Sequence, residues 1–558
     1  MADIAVEGAG APEQRTSLRT VVAASAAGTA FEWYDFFVFG SLTQVISKTF
    51  FSGLNETAGY IAALALFGAG FAFRPLGALV FGRIGDQVGR KGAFLLTVVL
   101  MGGATVGIGL LPTYAQAGIV APALLVLMRI IQGFALGGEY GGAAIYVAEH
   151  APPGARGRST SWVQTSAAFG LLGALSVILV TRLAVGRIAG PEAFDAWGWR
   201  IPFLFSAGLL AISIWMRLKL SESPAFARMK AAGESCQAPF KEAFGQWANL
   251  KVVLLALVAI MFAQGAVWYT AFFYIQTFME KFLKTPPETI TALMSIATIF
   301  SAGGYVFFGW LSDRIGRKPV LLFGMALMLA AYFPGFHLLS QTLNPAMAEA
   351  QARTPVVVVA DPADCALQFD PVGKSAFVSS CDIAKSVLAN AGVSYSNRAA
   401  PAGAKAQVLV GETAVPSVDA RGQPKAQAKA TRTEVETRLK AALSAAGYPE
   451  KADPARMNFA GAVGVMLIFV IAATALYGPI AATLVELFPT RIRYTAMSLP
   501  YHIGTGWVGG FVPFTAFAIV AATGDIYAGL WYPFAFTLLS VVTCFFLLPE
   551  TRHRSLHD

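Results

Sequence analysis

The amino-acid sequence predicts an all-α polytopic membrane protein: twelve transmembrane helices in two six-helix bundles, with an external insertion between the ninth and tenth spans. Three observations carry this expectation. The 558 residues are 56% hydrophobic and only 13% charged, too apolar for a soluble multidomain chain. Apolar runs of roughly twenty residues, the length that crosses a ~30 Å hydrocarbon core, recur from end to end. A charged, glycine-punctuated decapeptide occurs twice between such runs, as Gly82-Arg83-Ile84-Gly85-Asp86-Gln87-Val88-Gly89-Arg90-Lys91 and as Gly309-Trp310-Leu311-Ser312-Asp313-Arg314-Ile315-Gly316-Arg317-Lys318. At a water interface it reads as a tight turn whose glycines permit the bend.

A second echo supports duplication of a bundle. Glu149, Pro152 and Arg156 recur at the same spacing as Glu486, Pro489 and Arg493. The first echo is offset by 227 residues (82 to 309) and the second by 337 (156 to 493), so about 110 additional residues lie between Lys318 and Glu486. Parallel repeats of this kind build many secondary transporters.

The spans are expected near 20–47, 57–81, 92–112, 117–148, 159–182 and 200–217, then 250–278, 288–310, 319–340, 457–486, 495–521 and 527–548. This leaves a tail at 1–19, a first bundle at 20–217, a linker at 218–249, spans seven to nine at 250–340, an insertion at 341–456, spans ten to twelve at 457–548 and a tail at 549–558. Lysines and arginines of the short loops, among them Arg83, Lys91, Arg158, Arg217, Lys219, Arg314 and Lys318, gather at one set of span ends. The positive-inside rule makes that side cytoplasmic, with both termini inside and the insertion outside. The net charge of +9 is accounted for by these loops, not by a nucleic-acid patch. The first nineteen residues lack the apolar stretch of a cleavable signal.

The insertion is polar and rich in Ala, Pro and Gln, with a strand-like run at Val356–Val359 and a helix-like run near Thr433–Ala446. The four cysteines, at 236, 365, 381 and 544, have no metal spacing. Only Cys365 and Cys381 share a segment, and in an oxidising external compartment they are expected to pair.

Ionisable residues inside spans are costly and so mark function. Glu32 and Asp35 stand one helical turn apart, close enough that one proton is expected to be shared, unless either simply pairs with an arginine. Glu139 is a further candidate for the coupling proton. Arg74 and Arg129 suit a carboxylate, whether of a substrate or of another span. Tyr34, Gln164, Gln264, Tyr269 and Tyr477 are of the type that lines a small-molecule cavity or packs helices. No Walker A loop, HExxH, GxSxG or EF-hand is present, so neither ATP drive, hydrolysis nor a cofactor is expected.

The duplicated decapeptide resembles the hallmark turn of the major facilitator superfamily. The motifs Glu32-Trp33-Tyr34-Asp35-Phe36, Arg74-Pro75-Leu76-Gly77, Gln132-Gly133, Gly137-Gly138-Glu139-Tyr140 and Trp197-Gly198-Trp199-Arg200-Ile201-Pro202 narrow the resemblance to the metabolite:proton symporter branch. That branch includes permeases for α-ketoglutarate, citrate, shikimate and proline or betaine. The long insertion departs from its pattern.

The resemblance implies alternating access in a bacterial inner membrane, with a small carboxylate or zwitterion and a proton as partners and a monomer as the working unit. It also implies a gating network of Gly82, Asp86, Gly89, Arg90, Glu149, Asp313, Arg317 and Glu486. A drug:proton antiporter of the same fold and a transporter-like nutrient sensor are the alternatives; concentrative uptake abolished by a protonophore separates a symporter from a sensor.

Overall fold

The computed structural model describes residues 18–52, 66, 70–190, 192–219, 222–233, 236–366 and 378–556. The first bundle contains α1 (Leu18–Ser41), α2 (Arg74–Gln87), α3 (Arg90–Leu110), α4 (Val120–His150), α5 (Arg156–Ala189) and α6 (Arg200–Leu218). The second begins with α7 (Trp247–Lys281), α8 (Pro287–Ile315) and α9 (Arg317–Leu343). Ten of the described helices are long and apolar enough to cross a membrane, which makes this an integral membrane protein. The first half of the expected second span, 57–81, lies outside the described residues apart from Leu66, and the structure describes it from Gly70 onward.

The decapeptide differs from its expectation. Helix α2 runs through Gly82 and Gly85 to Gln87, and the chain turns only at Gly89, where φ is 145°. Gly82 and Gly85 are packing positions instead. A Cβ on Gly82 would lie 2.9 Å from Thr495 Cα, and one on Gly85 would strike the Tyr494 ring. In the second copy the chain likewise bends at Gly316, φ 109°, and Gly309 lies against Gly157 of α5, a Cβ there falling 2.6 Å from the Gly157 carbonyl oxygen. Glycines of the repeat therefore bring the two bundles into backbone contact. Arg74 lies deep in the bundle, at the start of α2. Thirteen residues of helix separate it from Gln87, about 20 Å at 1.5 Å per residue.

The insertion folds around its own apolar core. Within it are α10 (Pro345–Arg353), β1 (Val356–Ala360), α11 (Ser380–Ala391), β2 (Tyr395–Ala399), β3 (Gln407–Val410), β4 (Thr413–Pro416) and α12 (Lys425–Ala445). The sheet order is β2-β1-β3-β4, with β1 and β2 parallel and the other pairs antiparallel. Alternation in β1 buries Val356, Val358 and Ala360 with Val387 and Leu388 of α11 and Val435 and Leu439 of α12. Cys365 and Cys381 are joined by a disulfide with Cα atoms 5.2 Å apart. The module then leads into α13 (Phe459–Leu487), α14 (Arg493–Val520) and α15 (Ala528–Leu547).

Its attachments are to the second bundle. Tyr395 N donates to Gly524 O at 2.8 Å, Asn397 Nδ2 to Thr523 O at 2.9 Å, Ala452 N to Lys284 O at 3.1 Å, and Asn344 Nδ2 to Leu283 O at 2.9 Å.

Candidate functional site

At the end of the bundles that carries the repeated turns, each turn acid caps a helix of the opposite bundle. The Asp86 carboxylate accepts from the backbone N–H of Tyr494 (3.2 Å) and Thr495 (2.8 Å) in the first turn of α14, and from Arg90 Nη1 at 2.5 Å. Asp313 does the same for α5, accepting from Gly157 N and Arg158 N, both at 2.8 Å, and from Arg317 at 2.7 Å. A carboxylate at a helix N-terminus satisfies orphan donors and the helix dipole together. The second echo closes the lattice: Glu149 pairs with Arg493 at 2.7 Å across the bundles. Glu486 pairs with Arg317 at 3.1 Å and reaches Arg156 at 3.5 Å. Gly82, Asp86, Gly89, Arg90, Glu149, Asp313, Arg317 and Glu486 are thus brought to one face, all buried.

Four participants had not been anticipated. Glu222 accepts from Arg90 N (3.2 Å) at the start of α3, and Glu550 accepts from Arg317 N (2.9 Å) at the start of α9. Their neighbours Ser223 and Thr551 donate to Glu149 and Glu486. The signal was a third echo, Leu220-Ser221-Glu222-Ser223 against Leu548-Pro549-Glu550-Thr551, too short to stand out unaided.

Within the first bundle the acid pair is not the expected one. Arg217 of α6, expected at the interface, is 1% exposed and donates to Glu32 at 2.8 Å and to Glu139 at 2.9 Å. Gly28 makes its seat, since a Cβ there would lie 2.6 Å from Arg217 Nη2. Thr97 Oγ1 donates to the other Glu139 oxygen at 3.0 Å, whereas Glu32 Oε2 has no hydrogen-bond partner among the described residues. Asp35, the other acid of the expected pair, accepts from Ser206 Oγ at 2.6 Å. Being one turn apart on α1 did not bring the two carboxylates onto one group, because α6 supplies a different partner to each, Arg217 to Glu32 and Ser206 to Asp35.

Arg74 is 3% exposed and sits in the aromatic layer between the bundles, its Cζ 4.2 Å from the Phe71 ring centroid and 5.1 Å from that of Phe36. Its Nε and Nη2 have no hydrogen-bond partner among the described residues, nor has Gln264 Oε1. Around it, Tyr140 stacks on Tyr501 with centroids 3.6 Å apart, Tyr501 and Tyr477 share a hydroxyl hydrogen bond of 2.6 Å, and Tyr269 stands 5.8 Å from Phe71. Gln164 Nε2 donates to Tyr140 OH at 2.7 Å. Tyr34 is not part of this layer. Its hydroxyl donates to Pro202 O at 2.8 Å inside the first bundle. Arg129 is likewise internal, donating to Gln132 Oε1 at 2.8 Å and lying 4.1 Å from the Phe39 ring centroid.

Two helical bundles locked at one end by reciprocal caps, with a buried arginine and polar aromatics between them, define a major facilitator fold. The proton:xylose symporter XylE bound to 6-bromo-6-deoxy-D-glucose superposes on 97% of this chain and 98% of its own with a TM-score of 0.62 at 16% identity. A family model described as sugar (and other) transporter matches residues 20–238 and 441–558, and another, MFS/sugar transport protein, matches 150–360. The chain belongs to the sugar (and other) transporter family. It is 36% identical over 341 residues to the proline/betaine transporter of Salmonella typhimurium strain LT2, covering 58% of this chain and 66% of that one. It is also 36% identical over 323 residues to the shikimate transporter of Escherichia coli K12, covering 57% and 72%.

Proposed function

We propose that the chain is a proton-coupled symporter taking up a small organic carboxylate or zwitterion by alternating access across a bacterial inner membrane. The observation that carries this is Arg74: a guanidinium buried between the two bundles, with two nitrogens lacking hydrogen-bond partners among the described residues. A buried charge left so is costly unless a ligand completes it, and a carboxylate does so with charge-assisted hydrogen bonds. Tyr269, Tyr477, Tyr501 and Tyr140 would face the rest of the substrate, their rings accommodating a quaternary or secondary ammonium. The relatives named for proline, betaine and shikimate all carry substrates with a carboxylate, in keeping with this chemistry.

The coupling proton is assigned to Glu32 and Glu139, which share Arg217. Two carboxylates on one arginine leave a net negative charge in the membrane interior, and one proton neutralises the group. The end with the repeated turns is assigned to the cytoplasm on its arginines and lysines; on that assignment the described arrangement is the one closed to the cytoplasm, with the insertion external. The test is uptake of labelled proline, betaine, shikimate and α-ketoglutarate into proteoliposomes under an imposed pH gradient. Accumulation that collapses with a protonophore and is lost in Arg74→Ala is expected. Failure of every one of these substrates to accumulate under the gradient would overturn the assignment.

A further inference from the structure

The insertion holds a cavity of about 330 Å³ at the carboxyl ends of its two parallel strands. In α/β units this is where the crossover leaves a crevice for ligands. One wall is apolar, made by Val358 and Ala360 of β1 with Pro362 and the Cys365 half of the disulfide. The other is cationic, made by Lys385 of α11 and Arg398 of β2, and Ala522 at the end of α14 closes the bundle side.

Lys385 is the informative residue. It is only 9% exposed, yet it makes no hydrogen bond or ion pair with any described residue. Asp382, three residues earlier on α11, is the acid nearest in sequence. Its carboxylate is engaged by the backbone N–H of Ala366 at 2.9 Å and attracts the Lys385 ammonium only through space. Burial pushes the Lys385 ammonium below its ordinary range, outweighing the opposing pull of the Asp382 carboxylate. Arg398 is exposed and equally without a described partner, while its neighbour Asn397 is tied to Thr523 O at the bundle end. Two cations with no hydrogen-bond partner among the described residues, beside an apolar wall, match a molecule with an acid group at one end and a hydrocarbon body at the other.

We propose that this pocket binds a small organic acid, its carboxylate held by Lys385 and Arg398 and its body against Val358, Ala360 and Pro362. It is a second site, separate from Arg74, on a module fixed to the second bundle. The proposal does not depend on the transport assignment, because binding here is read without any flux.

The experiment uses the full-length protein in phosphatidylcholine nanodiscs with benzoate as the probe. Trace acetylation of lysines, quantified by mass spectrometry with Lys429 as the exposed reference, reports occupancy at Lys385. Saturating benzoate is expected to protect Lys385 at least tenfold while leaving Lys429 unchanged, and to do so in the Arg74→Ala variant as well. Arg398→Ala, at an exposed position, is expected to weaken that protection at least tenfold in benzoate concentration. Lys385→Met, which keeps the packing volume and removes the charge, should abolish the saturable benzoate binding that calorimetry detects in the Arg74→Ala background. Three results would overturn the proposal: unaltered Lys385 labelling at saturating benzoate, equal protection by inorganic phosphate, or protection only when phosphatidylglycerol is added to the nanodisc.

Discussion

Replacing Asp86 with asparagine tests the gating assignment most directly. The Asp86 carboxylate holds two backbone N–H groups of the opposite bundle, Tyr494 and Thr495, and both contacts must part if the bundles separate at this end. Hydrogen bonds to a charged group contribute about 1.5–3 kcal/mol each. The asparagine oxygen keeps one such bond in weaker, neutral form, at about 1 kcal/mol. The closed arrangement should therefore lose about 3 kcal/mol relative to the open one, roughly a hundredfold in population.

The assay is the maleimide labelling rate of Ser498→Cys, introduced with Cys236→Ser so that the half-buried native thiol does not compete. Ser498 is 1% exposed and its hydroxyl has no described partner, so the substitution breaks no described hydrogen bond. Labelling should accelerate about a hundredfold in Asp86→Asn. Since the arginine side loses only one of its acceptors, retaining Gly85 O and Thr490 O at 2.7 Å each, the variant should still fold. An unchanged labelling rate in a protein that melts normally would refute the reasoning, because the caps would then carry no part of the closure.

The remaining expectations follow from the other buried groups. Glu139→Gln and Glu32→Gln should each abolish accumulation driven by a pH gradient while sparing counterflow exchange, and Asp35→Asn should spare both; accumulation surviving in Glu139→Gln would refute the trio as the proton site. Replacing both Cys365 and Cys381 by serine removes a crosslink 16 residues in span, worth about 3 kcal/mol in the chain-entropy model. Hydrogen exchange should then quicken in β1 and α11 with the spans unaffected. Burial, with Lys281 and Lys440 nearby, lowers the Lys284 ammonium to about 8. The folded state therefore gives up this proton before the unfolded one does, so docking of the insertion should strengthen as pH rises from about 8 toward 10.5, by roughly 1–2 kcal/mol after discounting for its solvent contact. Limited proteolysis between pH 7.5 and 9.5 checks this, and Lys284→Met should abolish the dependence.

The parts of the fold legible in the sequence were those written as periodicity or as repetition. Apolar runs placed most spans, and two echoes with different offsets bracketed the insertion. The positive-inside rule was also what hid Arg217. Counting lysines and arginines at span ends treats each as solvated, and nothing local in Trp215-Met216-Arg217-Leu218 distinguishes an arginine that turns inward to two glutamates from one that reaches out. Only the meeting of α1, α4 and α6 shows it. Helix spacing likewise put Glu32 and Asp35 on one face, yet a face is about 100° wide, and two residues of α6, Arg217 and Ser206, divided it. In the insertion, β2 and β4 went unread because most of their side chains are exposed, so they carry no apolar alternation to detect.

The reciprocity of the caps bears on why this fold would switch between two states instead of yielding gradually. Asp86 of the first bundle satisfies the start of α14 in the second, and Asp313 of the second satisfies the start of α5 in the first. Neither cap can be released by moving one helix, because α2 is bound to α3 through Asp86 and Arg90, and α8 to α9 through Asp313 and Arg317. The clasps behind them add to this, since Glu222 and Glu550 cap α3 and α9 from the segments that follow α6 and α15. Each turn is thus held from both of its sides, and a small displacement at one contact leaves several buried donors without acceptors at once. Such an arrangement has a steep cost for partial opening and none of the intermediate arrangements that would relieve it. That is the physical requirement for a bistable element: rigid bodies joined by a contact that is either complete or absent.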